Sequence, residues 1–384
     1  MSEHPHPDAR NVYREDHEMF RDQVRRFIEA EIVPYHAEWE KDGIVPKSVW
    51  KKAGEQGFLC ITIPEEYGGP GGDFGHSAVF IEELARVNAT AVGFTTHSDI
   101  SAPYILAYGS EDQKKKWLPL MAKGEKICAL GLTEPGTGSD LRGIKTQAKP
   151  DGNGYLISGQ KTFISNGANS DVTILATKLE PTPRGKEITL FLVDNELEGC
   201  SKGQRLEKIG LKGQDTSELF FDNVRVTDAD MMGEPHVGFK YLTHQLAKER
   251  LIIGIRAAAS IFALLDETLE YVRERHAFGQ PVFDYQNTRF TLAECKAKAT
   301  MLRVFVDDCL TRLLEGNLSA ERGAMAKLMG SELQNELLDE FLQLHGGYGY
   351  MSEYRISRSW VDARVARIYG GTSEIMKEII ARGL

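Results

Sequence analysis

Three glycine-rich segments carry residues whose types suit ligand binding. Residues 131–140 read GLTEPGTGSD, in which hydroxyl side chains alternate with glycines that let backbone N–H groups approach a ligand edge. Residues 343–351 read QLHGGYGYM, and residues 368–372 read IYGGT, a turn suited to approaching something flat and bulky. Taken alone, the first segment fits a decorated turn better than a ligand site, and the second fits a helix C-cap equally well.

Glu249 is the carboxylate whose position suggests proton transfer. Residues 241–260 read YLTHQLAKERLIIGIRAAAS, and Glu249 falls on the apolar seam of the predicted helix. A carboxylate there is costly unless it is paired or functional. An ion pair with Lys248 or Arg250, or a first-turn acid favoured by the helix dipole, remains an alternative. The apolar residues of this seam are Leu242, Leu246, Ile253 and Ala257.

Composition narrows the class of protein that these residues serve. The chain has 384 residues, of which 41% are hydrophobic and 27% charged, which is typical of a globular protein of two or three domains. The net charge of −10 argues against nucleic acid as the main partner, since phosphate binding needs a basic surface. The five cysteines form no C-x-x-C pair, and no apolar run approaches the roughly 18 residues of a membrane span. We therefore expect no membrane span, no metal site, and a cytoplasmic location, or the mitochondrial matrix for a mature eukaryotic chain.

The elements that position the candidate residues follow an α–β–α order. Residues 1–128 are predicted to form a helical domain, and residues 129–235 an antiparallel β domain of short β-branched runs separated by Asn-Gly and Asp-Gly turns. Residues 236–384 return to long amphipathic helices, one beginning at the N-cap Ser319 and ending at Gly346, which predicts a bundle.

Taken in order, these motifs resemble those of the acyl-CoA dehydrogenase family over nearly the whole chain. LTEPGTGSD (132–140) is similar to its first signature, with Thr137 where Ala, Ser or Gly is usual. Residues 343–364 resemble the second signature, and RERHAFGQPVFDYQ (273–286) resembles the flavin-contacting stretch. The resemblance implies an FAD flavoprotein with an N-terminal helical domain, a central antiparallel β domain and a C-terminal four-helix bundle.

The resemblance also implies a layout for FAD and acyl-CoA, partly shared between neighbouring subunits of a homotetramer that is a dimer of dimers. The β domain would meet the isoalloxazine, and the C-terminal helices would meet the dinucleotide. The FAD positions carried over by motif are Leu130, Leu132, Thr133, Gly138, Ser139, Phe163, Ile164, Ser165, Arg275, Gln286, Gln343, Gly346, Gly347, Thr372 and Glu374. The acyl-CoA positions are Ser139, Arg250, Gly370 and Gly371.

The family's catalytic base is missing from its usual place in this chain. The family makes a trans-2-enoyl-CoA as a base takes the α-proton and the β-hydrogen leaves as hydride to flavin N5. Most members carry the base in a Tyr-Glu-Gly-Thr sequence, but Gly370 stands at that position here, and only its backbone N–H could hold the thioester oxygen. Long-chain members carry the base on a helix that begins the C-terminal domain, and Glu249 matches that position. Glu134 and Glu374 compete as bases, but neither displaces Glu249.

The acyl chain and the electron acceptor are less narrowly predicted. Residues 89–105 resemble the helix pair that lines the acyl pocket, where small residues such as Gly93 would leave room. His97 and Asp99 favour a branched or oxygenated acyl chain, or are ordinary helix-surface positions. Electron transferring flavoprotein is the implied acceptor. The alternatives are an oxygen-using oxidase or monooxygenase on the same fold, and a non-catalytic protein that binds FAD and acyl-CoA.

Overall fold

Helices lie before and after a β-sheet in the computed structural model, which describes residues 10–185 and 187–384. The first nine residues of the predicted N-terminal domain therefore lie outside the description. A rare π-helical turn, Thr96–Ser101, precedes the fifth helix. The helices before residue 128 are α1 (Glu15–Glu31), α2 (His36–Asp42), α3 (Lys47–Glu55), α4 (Phe74–Arg86), α5 (Ala102–Tyr108) and α6 (Glu111–Ala122).

The sheet is mixed, whereas the sequence predicted an antiparallel one. Strand β4 runs parallel to both β1 and β2, and the other pairings in this sheet are antiparallel. The alternation of apolar residues is the same for both kinds of pairing, so the sequence pattern could not distinguish them. The strands are β1 (Cys128–Gly131), β2 (Gln147–Asp151), β3 (Gly154–Ser165), β4 (Val172–Leu179), β5 (Thr189–Asp194), β6 (Cys200–Arg205), β7 (Thr216–Val226) and β8 (Met231–Met232).

Strands β4 and β5 are apolar on both faces because each face covers its own core. Ile174 and Ala176 of β4 join a cluster with residues of α5 and α6. Leu175, between them, joins a second cluster on the opposite face with Phe191 of β5. Successive side chains of a strand point to opposite faces, so a continuous apolar run indicates a strand buried on both sides.

The helical pattern returns after the sheet, with three long helices followed by two short ones. Between the first two lies a small hairpin, β9 (His276–Ala277) and β10 (Gln280–Pro281). Ser319 caps its helix as predicted, accepting a hydrogen bond from the N–H of Arg322. The helices are α7 (Gly238–Glu274), α8 (Gln286–Leu314), α9 (Ala320–His345), α10 (Arg355–Ala363) and α11 (Ser373–Ala381).

The chain divides into two compact units, and the predicted domain boundaries remain predictions. One unit contains the sheet and consists of Ala30–Gly72 and Ala89–Glu249. The other is helical and consists of the chain up to Glu29, Asp73–Asn88 and Arg250–Leu384.

Two glycines allow α7 and α9 to approach closely within the helical unit. A Cβ built on Gly254 would lie 3.0 Å from the carbonyl oxygen of Ala326, and a Cβ on Gly330 would lie 3.0 Å from the Cα of Gly254. Larger residues would push the helices apart. This crossing sets the position of the side chains on α7 and α9 that contact the turn before α11.

Two properties of the described residues concern membrane spans and disulfides. No helix among them is both long and apolar enough to span a membrane. All five cysteines lie in the described part of the chain, and none forms a disulfide.

Candidate active site

Glu249 lies about three turns beyond the start of α7, so the interpretation as a first-turn acid is wrong. Its side chain is partly buried, and its Oε1 accepts a hydrogen bond from the hydroxyl of Tyr104 at 2.8 Å. Tyr104 is only 1% exposed, on α5. Burial, followed by the charge of Glu249, raises the pKa of Tyr104 well above its usual value, so the hydroxyl stays protonated and can only donate to the carboxylate.

Lys248 adds positive charge beside this carboxylate. Burial lowers the pKa of its ammonium group, while Asp99 and Glu249 act in the opposite direction. Lys248 and Glu249 therefore interact electrostatically, the ion pair itself stays a prediction, and Tyr104 supplies a hydrogen bond to the carboxylate. A partly buried carboxylate held by a donor remains available for proton transfer.

The turn before α11 has the backbone that its glycines allow. Gly370 and Gly371 have φ of 64° and 93°, in the left-handed region that favours glycine. Thr372 caps α11 by accepting a hydrogen bond from the N–H of Ile375. A Cβ built on Gly370 would lie 2.8 Å from Cδ1 of Ile253 on α7.

Two buried or half-buried groups of α9 hold this turn. Lys327 is fully buried and donates from Nζ to the carbonyl oxygen of Gly371 at 2.6 Å. Burial lowers its pKa to about 8. Glu332 accepts a hydrogen bond from the hydroxyl of Ser373 at 2.6 Å and pairs with Arg367. The backbone of the turn is therefore fixed on both sides of Gly371.

The loop after β1 and the end of β3 come together in the sheet-containing unit. The N–H of Thr162 donates to the carbonyl oxygen of Thr133 at 2.9 Å. Leu130, Leu132, Thr133 and Ser165 are partly exposed here, while Ile164 is buried. The structure thus groups most of the positions that the sequence assigned to the flavin ring.

The exposed surface of this group fits a flat heteroaromatic ring. The ring of Phe163 is 67% exposed, on a residue whose φ of 58° lies in the left-handed region. A Cβ built on Gly138 would meet nothing within 4 Å, and Ser139 is exposed. An exposed aromatic ring, an exposed hydroxyl and accessible backbone are groups that suit the isoalloxazine of FAD.

Glu134, a rival base, is held in structural contacts. Its Oε1 accepts hydrogen bonds from Nζ of Lys161 at 2.8 Å and from the hydroxyl and N–H of Thr146. Burial opposes its ionisation, but Lys161 and Thr146 hold its pKa below the usual range. Glu374, the other rival, is exposed in the first turn of α11.

In the helical unit the remaining FAD positions are exposed except Thr372, which is partly buried. The guanidinium of Arg275 lies 5.8 Å from the ring centroid of Tyr348, which follows Gly346 and Gly347. Gln343 lies in the last turn of α9, and Gln286 begins α8. The structure thus brings Arg275 close to the 343–347 segment, but no contact joins Gln286 to that segment among the described residues.

Two expectations about the acyl pocket are wrong. His97 and Asp99 are buried in the π-helical turn and are not helix-surface positions. The ring of His97 accepts a hydrogen bond from the N–H of Cys128 and bonds to the carbonyl of Met121, so it serves packing. Gly93 leaves no room for a ligand, because a Cβ there would lie 1.7 Å from Oδ1 of Asn166.

Three models of one protein family match most of the chain. Family models described as the acyl-CoA dehydrogenase N-terminal, middle and C-terminal domains match residues 14–125, 129–224 and 236–384. The chain belongs to the acyl-CoA dehydrogenase family. Acyl-CoA dehydrogenases are FAD-dependent oxidoreductases of β-oxidation, as the motifs implied.

Individual acyl-CoA dehydrogenases match over most of their length. The chain is 48% identical to a long-chain specific acyl-CoA dehydrogenase from Sus scrofa, over 97% of this chain and 87% of that protein. It is 44% identical to an acyl-CoA dehydrogenase structure from Geobacillus kaustophilus, with a TM-score of 0.95 and coverage of 98% and 99%. An acyl-CoA dehydrogenase from Bacillus anthracis, complexed with FAD, is 31% identical with a TM-score of 0.90, covering 97% of this chain and 67% of that one.

Two residues of this acyl-CoA dehydrogenase were missed from the sequence. Lys327 falls on the buried seam of α9, between Gly323 and Gly330, and a charge at a buried helical position was a usable signal. Tyr104 gave a weaker signal, since a tyrosine in an apolar helix is common and its partner lies 145 residues away.

Proposed function

We propose that this acyl-CoA dehydrogenase oxidises long-chain acyl-CoA with Glu249 as the catalytic base. The observation that carries the proposal is the spacing of Glu249 and Ile253 on one face of α7. Ile253, whose Cδ1 lies where a side chain at Gly370 would project, follows Glu249 by one helical turn. The carboxylate of Glu249 on that face therefore takes the role of the base that a side chain at position 370 would have in most of the family.

The proposed chemistry divides the task between two elements. The N–H of Gly370 donates to the thioester oxygen, where negative charge grows as the α-proton leaves. A carboxylate oxygen of Glu249 accepts that proton, and the electron pair of the broken Cα–H bond forms the Cα–Cβ double bond. The β-hydrogen would leave with its electron pair, and FAD, when bound, would supply the hydride acceptor. The residues of the 130–139 loop and Phe163 to Ser165 would hold its ring, and Arg275, Gln286, Gln343, Gly346, Gly347, Thr372 and Glu374 would hold the dinucleotide.

The substrate class rests on the long-chain relatives and on the relocated base. The buried Asp99 and Ser98 of the π-helical turn keep a branched or oxygenated chain within the proposal. Ser139, Arg250, Gly370 and Gly371 are proposed to contact the CoA thioester. Arg250 is buried next to Glu249 in sequence, on α7.

The acceptor, assembly and compartment are also proposed by family likeness. Electron transferring flavoprotein is the proposed acceptor. A homotetramer is supported by exposed apolar side chains at Phe290, Met301 and Val304 of α8, and light scattering on the purified protein checks it. Free thiols at all five cysteines support a reducing compartment such as the cytoplasm or the mitochondrial matrix.

The decisive experiment is anaerobic reduction of the purified FAD-loaded enzyme by straight and branched acyl-CoAs of increasing length. Flavin absorbance should bleach fastest with long-chain substrates. Glu249→Gln should keep FAD and acyl-CoA binding but reduce the flavin about 10²–10⁴-fold more slowly. Glu270→Gln makes the same change on the exposed side of α7 and should behave as the wild type.

Three outcomes would contradict parts of the proposal. Reduction of Glu249→Gln at the wild-type rate rules out the base. An absence of bleaching with every acyl-CoA favours the non-catalytic binding protein. Reoxidation of the reduced enzyme faster by oxygen than by electron transferring flavoprotein favours an oxidase.

A further inference from the structure

Tyr104 is a buried hydroxyl that the reaction itself does not consume, and it lies on the proposed base. Its oxygen is 2.8 Å from Oε1 of Glu249 and 3.3 Å from the carbonyl oxygen of Leu242, one helical turn from the start of α7. The shorter contact is to an ionisable group, and hydrogen bonds to charged groups are the stronger ones. The single hydroxyl proton therefore points to the carboxylate.

The packing of α5 against the first part of α7 makes this contact a fixed one. One turn along α5, Tyr108 stacks on the ring of Tyr241 at 4.1 Å and lies 3.0 Å from Nδ1 of His244. Tyr104 itself belongs to the apolar core that includes Leu242. Tyr104 is therefore carried by a helix that makes one ring-stacking contact and one hydrogen bond to α7, and these restrict how far its hydroxyl can move from Glu249.

The charged groups around Glu249 give Tyr104 a distinct role. On α7 itself, Lys248 and Arg250 flank the glutamate, and Asp99 of the π-helical turn interacts with Lys248. From α5, Tyr104 is the titratable group in contact, and His244 is turned to Tyr108. Cations favour the ionised carboxylate at a distance, but a hydrogen bond also fixes which way its oxygens point.

We propose that Tyr104 is a positioning residue that orients the carboxylate of Glu249 and keeps it ionised when acyl-CoA has displaced water from around it. This rests on the proposed role of Glu249. A base that accepts a proton must begin without one, and a partly buried carboxylate loses hydration that normally keeps it ionised. The hydroxyl replaces that hydration from a fixed direction. Its cost is a lower proton affinity of the base.

The test is the pH dependence of flavin reduction in Tyr104→Phe, measured anaerobically on the FAD-loaded enzyme with a saturating long-chain acyl-CoA. Removal of the donor should move the acidic limb upward by about 1–2 pH units. The plateau rate should fall by about 10-fold as the carboxylate loses its orientation. Tyr108→Phe removes a hydroxyl from the same helix and should leave the limb where it is.

A second variant keeps the proposal testable if Tyr104→Phe fails to hold FAD. Glu249→Asp keeps a carboxylate but draws it back from Tyr104, so its limb should move in the same direction. Where Tyr104→Phe does hold FAD, adding it to Glu249→Asp should produce little further shift.

The results separate this proposal from the proposed function. An unmoved limb in Tyr104→Phe, or an equal shift in Tyr108→Phe, overturns the role of Tyr104 while leaving Glu249 as the base. A wild-type rate in Glu249→Gln overturns the base itself. If Glu249 is not the base, the shift of the acidic limb caused by Tyr104→Phe should also appear in the Glu249→Gln background. Our proposal expects no such shift there, because the carboxylate that Tyr104 contacts is absent.

Discussion

Gly370→Ala tests whether the turn before α11 requires glycine for its backbone, for space, or for both. At φ of 64° an alanine costs about 1 kcal/mol, because its Cβ crowds the following carbonyl. The same Cβ would lie 2.8 Å from Cδ1 of Ile253, which adds about 1 kcal/mol of overpacking. We expect a loss of about 2 kcal/mol in the free energy of unfolding.

Two further variants separate these contributions. Gly316→Ala pays the backbone cost alone, because its φ is 75° and a Cβ there would meet nothing within 4 Å. We expect about 1 kcal/mol for it. Ile253→Val removes the crowded Cδ1 and costs about 1 kcal/mol by itself. The double variant Gly370→Ala/Ile253→Val should therefore lose about 2 kcal/mol, about 1 less than the sum of the single losses.

Urea unfolding of the FAD-loaded protein, at fixed protein and FAD concentrations, provides the measurement. Alanine narrows the unfolded ensemble equally at both glycines, so that effect cancels between Gly370→Ala and Gly316→Ala. Equal losses for these two variants would refute the steric contact with Ile253. Additivity in the double variant would refute it independently.

Two other predictions concern the base and the acid stability of the protein. Gly370→Glu in the Glu249→Gln background should restore part of the flavin reduction with an altered chain-length preference, and Ile253→Val should improve it by relieving the same contact. If flavin reduction is restored neither in the Glu249→Gln background nor after Ile253→Val is added, the result would argue against a thioester held at Gly370. Burial lowers the pKa of His97 to about 4, so the unfolded chain takes up a proton below about pH 6.5 that the folded protein refuses until about pH 4. Stability should fall by about 3 kcal/mol over that interval, and His97→Gln, compared by urea midpoints at pH 7, 5 and 4, should lose this part of the slope; parallel slopes would contradict it.

Local signals in the sequence predicted the elements better than their pairing. The N-cap at Ser319 and the helix end at Gly346 are confirmed, because a cap depends on residues within one turn. The parallel pairing of β1 with β4 joins residues that are more than forty positions apart in the sequence. The alternation of apolar residues does not indicate whether two strands run parallel or antiparallel. The strands β4 and β5 are apolar on both faces, so their residue pattern also does not indicate the direction in which they pair.

The candidate site shows the same limit for side chains. Motifs placed Phe163, Thr133 and Gly370 because each lies inside a short recognisable segment. Tyr104 and Lys327 act through partners 145 and 44 residues away, and neither lies in a motif. Two interpretations of the acyl pocket were wrong for the same reason. The buried His97 accepts a hydrogen bond from Cys128, and Gly93 allows the close approach of Asn166, and no spacing rule in the sequence connects these pairs.

The proposed mechanism attaches proton transfer and thioester binding to separate supports. Tyr104 of α5 holds the carboxylate, and Lys327 of α9 holds the carbonyl of Gly371. A family member with its base in the turn must move both functions together whenever the turn moves. Here the π-helical turn leads directly into α5, so we expect a substitution at Asp99 to shift Tyr104, the hydrogen-bond donor to Glu249. In the proposed mechanism such a substitution should alter both the substrate preference and the proton affinity of the base, while Lys327 of α9 still holds the carbonyl of Gly371.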